Sequence, residues 1–109
     1  MQVPIEITFK NSEPSKAIQS EIERQSARLD RFNNRITSCH VTVTTPATRH
    51  RHGDLFSINI RIAMPQHKDI LVTKTHGDEP EHEHVIVAIK DAFAVALLQI
   101  EDAARQMRG

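Results

Sequence analysis

Arg24, Arg28, Arg31 and Arg35 recur at the i, i+4, i+7, i+11 spacing that a helix turns into a single stripe. At about 100° per residue the four side chains fall within a sector of roughly 60°. Ile18, Ile22 and Leu29 fall on nearly the opposite side. Such a helix can bury one flank and present parallel guanidinium groups on the other. Guanidinium is planar, permanently charged and donates in a fork that matches phosphate oxygens. The chemistry on offer is therefore phosphate recognition, unless Glu21, Glu23 and Asp30 merely solvate and neutralise the face.

Other constellations are weaker. His50-Arg51-His52 and His82-Glu83-His84 are two H-x-H pairs, and imidazoles at i, i+2 on an extended segment suit zinc or nickel. Both pairs fall in polar stretches with no second set of ligands around them. No metal site is expected, and His50, His52, His82 and His84 are the residues that would form one. Protonation below neutral pH would add positive charge to the loop of Arg49, His50, Arg51 and His52. Cys39 and His40 are adjacent on a strand, where neighbours point to opposite faces, so they form no dyad. The three glycines, Gly53, Gly77 and Gly109, build no phosphate-cradling loop. No acid–base pair has the spacing of a catalytic unit, so the chain is not expected to be an enzyme and needs no cofactor or small-molecule substrate.

The elements that must position the stripe follow from periodicity. Val3, Ile5, Ile7 and Phe9 alternate with polar residues as a half-buried strand, and Pro4 within it marks an edge. Ser12 offers a helix cap and Pro14 fits a first turn, so a helix is predicted from about Glu13 to Phe32 with Asn33-Asn34 as its stop. Arg35 then lies near or just past its end. Residues 37–45 alternate again, as do Phe56 to Met64 and Asp69 to Thr75, with a turn at Pro65-Gln66-His67. Residues 76–84 form an acidic stretch without periodicity, and about His84 to Gln106 reads as a second helix.

The order β-α-β-β-β-α gives an α+β two-layer sandwich. It has a four-stranded mixed sheet, with one parallel pair and an antiparallel meander, and both helices on one face. A chain of 109 residues suits one domain over 1–109. No signal peptide or apolar span is visible, and a lone Cys39, read as a small core residue, fits the reducing cytoplasm. The net charge is zero. Residues 1–77, however, hold eleven Lys/Arg against seven Asp/Glu, and residues 78–109 hold three against seven. A polyanion responds to the local field, not to the total.

The runs ARLDRFNNRI (27–36), RHRHGDL (49–55) and EHEHVIVAIKDAF (81–93), in this order on this element pattern, resemble the ribosome hibernation-promoting factors and ribosome-associated translation inhibitors of the sigma modulation protein family. The resemblance implies a bacterial stress-response protein that binds ribosomal RNA of the small subunit, in the channel used by messenger and transfer RNA. It would inhibit translation and promote ribosome hibernation. It places RNA contacts at Arg28 and Arg31, at Arg35 at the helix exit, and at Lys90 on the second helix. Arg24 joins them from the stripe, and Arg49 and Arg51 as loop contacts. Some relatives extend beyond the second helix, whereas this chain is expected to be the core domain alone. Ala94, Val95, Leu97 and Leu98 stand where relatives carry more Lys or Arg. Ile89, Phe93, Ala96 and Ile100 already supply an inward stripe, which leaves Val95 and Leu98 as a candidate apolar patch. The alternative function is accordingly a protein-interaction or homodimerisation module working through that helix, with ribosome binding weakened or lost.

Overall fold

The computed structural model describes residues 4–11, 13–32, 35–45, 56–76 and 82–108. Its order is β1 (Ile5–Lys10), α1 (Lys16–Phe32), β2 (Ser38–Thr44), β3 (Phe56–Ala63), β4 (Ile70–His76) and α2 (His82–Arg108). The four strands form one sheet in the order β1-β2-β3-β4. β1 pairs with β2 in parallel, Ile7 opposite Val41. The β2–β3 and β3–β4 pairs are antiparallel, with Val41 opposite Ile60 and Ile60 opposite Val72. This is the predicted α+β mixed sheet and element order.

Strand alternation puts Cys39, Val41, Val43, Phe56, Ile58, Ile60, Ile62, Ile70 and Val72 on one face, all buried. α2 covers it with Val85, Ala88, Ile89, Ala92, Phe93, Ala96, Ile100 and Ala103, and α1 with Ile22 and Leu29. At 1.5 Å per residue the 27-residue α2 is about 40 Å long, which sets the long axis of a 50 × 24 × 18 Å molecule. The opposite sheet face is polar. Thr8 and His40 share a hydrogen bond of 3.1 Å there, Thr73 donates to Asn59 at 2.9 Å, and Arg61 pairs with Asp69 at 2.7 Å.

Three local details differ from the sequence-based expectation. The helix begins at Lys16, not near Glu13, and its cap is Ser15: Ser15 Oγ accepts from the Ile18 N–H at 3.3 Å and Ser15 O from the Gln19 N–H at 2.9 Å. The reason is Pro14, which disfavours the helical conformation for the residue before it. Ser12 lies outside the described residues. Pro4 sits just before β1, not within it, and its carbonyl accepts from the Cys39 N–H at 3.1 Å. α2 starts at His82, two residues earlier than expected. The β3–β4 turn falls where expected, and Gln66 takes a left-handed φ of 61° there.

Cys39 is a core residue. Burial pushes its thiol up to about 11, against a smaller opposing effect of a hydrogen bond with Ser26 of α1. A thiol so placed is unreactive at neutral pH. Ile58, fully buried on a central strand, reports the energetics of the core. Ile58→Ala should lower unfolding free energy by about 2–5 kcal/mol in urea titration with an unchanged m value.

Candidate nucleic-acid interface

Two helices lying side by side on one sheet face leave a groove between their outer flanks. Glu21, Arg24, Gln25, Arg28 and Leu29 line it from α1, and Lys90, Phe93, Ala94 and Leu97 from α2, around a volume of about 490 Å³. On α1 the inward positions carry the apolar residues, so the outward positions carry Arg24, Arg28 and Arg31, all exposed. Helix periodicity then aims Arg24 and Arg28 toward the groove, where Lys90 joins them from α2.

The floor of the groove holds an ionised carboxylate. Glu21 is only 4% exposed. Arg24 Nη2 donates to its Oε1, and Gln25 Nε2 donates to its Oε2 at 2.7 Å. Gln25 in turn accepts from Arg28 Nη1 in a long contact of 3.4 Å. Burial opposes ionisation of Glu21. The hydrogen bonds from Gln25 and Arg24, with the positive charges of Arg24 and Lys90, outweigh it and hold the carboxyl below its ordinary value of 4.5. One buried anion therefore feels two cations from two helices, Arg24 and Lys90, while Arg28 meets it only by way of Gln25, and Arg24, though 67% exposed, has one edge engaged by it.

The predicted site residues separate accordingly. Arg24, Arg28 and Lys90 come together at the groove. Arg31 is exposed on the last turn of α1 but does not line the groove. Arg35 is not part of the helical stripe: α1 ends at Phe32, and Arg35 lies exposed in the turn beyond it. Arg49, Arg51, His50 and His52 lie outside the described residues, as does the side chain of His82. His84 is exposed on the first turn of α2. Among the described residues no three His, Cys, Asp or Glu side chains cluster as metal ligands. No helix among them is long and apolar enough to cross a membrane.

The apolar patch on α2 differs from the expected pair. Val95 is half-buried, packed against the core. Leu98 is 62% exposed and shares its outward line with Val87, 54% exposed, with Ala94, and with the charged Asp91 between them. Glu21 and Gln25 are the site residues that sequence reasoning missed. Their signal was present, since Glu21–Arg24 and Gln25–Arg28 are i, i+3 pairs and Glu21–Gln25 an i, i+4 pair.

Sheet, helix pair and cationic groove define a small α+β domain with a charged cleft between its helices. Residues 5–108 match the family described as sigma 54 modulation protein / S30EA ribosomal protein, and the chain belongs to that family. The fold recurs in solved structures, among them these two. One is a ribosomal subunit interface protein from Coxiella burnetii, with a TM-score of 0.74 and 12% identity over 94% of this chain and 99% of that one. The other is the N-terminal domain of Thermus thermophilus Protein Y, with a TM-score of 0.68 and 20% identity over 94% and 98% of the two chains. No curated protein matches the chain in sequence.

Arg24 and Glu21 are coupled, and this has a measurable consequence. Arg24→Ala removes a donor from a buried carboxylate and should cost about 1–2 kcal/mol of stability at pH 7. A folded-state pKa below the unfolded value means Glu21 contributes stability above about pH 4.5, lost as pH falls through the lowered folded-state value. Urea titrations between pH 3 and 7 should accordingly show a smaller loss on acidification for Glu21→Gln than for the parent protein.

Proposed function

We propose that this protein binds ribosomal RNA of the small subunit through the α1–α2 side of the domain, and so inhibits translation and holds ribosomes in an idle state. The observation that carries this reading is the convergence of Arg24, Arg28 and Lys90 at one groove, in a chain of a ribosomal protein family. Structured RNA presents phosphates and 2′-hydroxyls on a surface of defined shape, and a rigid set of cations can dock there without reading bases. Arg28 is the central contact, with one side on Gln25 and the rest of its donors toward solvent. Arg31 and Arg35 extend the cationic surface past the groove. Arg49 and Arg51, which follow β2 in the sequence, are additional contacts on this reading. The protein acts in the cytoplasm, where ribosomes are, as a binding factor and not as a catalyst.

The double variant Arg28→Glu, Arg31→Glu replaces two exposed cations and should fold normally. It should no longer co-sediment with purified small subunits at salt concentrations where the parent does. Undiminished co-sedimentation would remove these residues from the interface.

A second reading is favoured by the outward line of Val87, Ala94 and Leu98: α2 also pairs with a second copy of the chain. Analytical ultracentrifugation over a concentration series should then show a dimer that Leu98→Glu dissociates without unfolding. A protein that stays monomeric throughout would dismiss the pairing.

A further inference from the structure

A buried anion at the centre of a groove meant for polyanions is a paradox for simple charge attraction. Were affinity for phosphate the sole requirement, a neutral residue at position 21 would serve better. Glu21 is 4% exposed, yet both carboxylate oxygens have donors, one from Arg24 and one from Gln25. Arg28 reaches Gln25 in a long contact of 3.4 Å, and Lys90, which lines the same groove, adds its positive charge near the carboxylate. Three cations from two helices would repel one another and spread into water. The carboxylate lets them stay close, and it also subtracts one charge from their sum.

We propose that Glu21 is a positioning and specificity residue of the RNA-binding groove: it fixes Arg24 and, through Gln25, Arg28 in one arrangement, while lowering the attraction of the groove for polyanions of the wrong shape. This rests on the ribosome reading above. The expected consequence is discrimination. An RNA surface that matches the fixed cations gains from the arrangement, whereas a flexible polyanion feels only the net charge.

The experiment compares two probes, purified small ribosomal subunits and poly(U), across a salt series with the full chain. Glu21→Gln keeps the size of the side chain and one acceptor oxygen, while it removes the charge and puts an N–H donor in place of the second acceptor. It should bind poly(U) about fivefold more tightly at low salt, the scale of one partly screened unit charge, with a salt dependence steeper by up to about 0.7 in the logarithmic slope. Its affinity for small subunits should stay level or fall, so the ratio between probes drops. Glu21→Asp keeps the charge and should restore most of that ratio. Gln25→Met leaves the charge count untouched but removes the acceptor for Arg28, and should weaken subunit binding severalfold. It decides the positioning role even where Glu21→Gln fails to fold. Equal strengthening on both probes by Glu21→Gln, no change on either, or normal subunit binding by Gln25→Met would overturn the proposal. Failure of the parent protein to bind subunits at all, with poly(U) binding intact, would instead refute the ribosome reading. The poly(U) comparison would still decide whether Glu21 restrains generic attraction.

Discussion

A four-stranded sheet with one apolar face is not stable until that face is covered, and here both covering elements come from the same side. Burying the isoleucines and valines of β2, β3 and β4 requires more width than one helix of about 10 Å diameter supplies. α1 and α2 must therefore lie next to each other. Two cylinders side by side on a flat layer leave a groove along their outer seam. The groove is thus a by-product of covering the sheet, and its lining is drawn from the helix positions that face neither the sheet nor open solvent.

Those seam positions carry the chemistry. On α1 they hold Glu21, Arg24, Gln25 and Arg28; on α2 they hold Lys90, Ala94 and Leu97. Half-shielded positions weaken screening by water, so charges placed there interact more strongly than on an open surface. The carboxylate of Glu21 illustrates the effect. It stays ionised despite burial because donors reach both oxygens and positive charges surround it. The same cations keep their outer edges available to a ligand. Stability and binding readiness are linked through one side chain.

The neutral total charge of the chain fits this arrangement. On the proposed function, attraction for RNA would come not from an overall basic protein but from a small number of cations brought to one place. α2 contributes Lys90 to the groove, and its other exposed positions mix apolar Val87, Ala94 and Leu98 with Asp91, Asp102 and Arg105, so the basic surface is narrow and centred on α1. A surface of that kind depends on the placement of each cation more than a broad basic field does, since few contacts must supply the whole interaction.

Much of the architecture was legible before any coordinates, because periodicity is a local property. Alternation over 39–43 and 56–62 told which residues point inward, and the i, i+4, i+7 spacing told which face of α1 carries arginine. Family-specific runs of residues told the family. Other features depended on distances between elements far apart in the chain. The sequence marked Arg24, Arg28 and Lys90 as cations, but their meeting at one groove depends on how α1 and α2 pack, more than fifty residues apart. Glu21 read as a solvating charge because its helix neighbours were visible and the shielding contributed by α2 was not. Val95 read as outward for the same reason, since how much of a helix its neighbours cover is not encoded in that helix. Pattern fixes the faces of single elements; burial and convergent charge arise from packing between them.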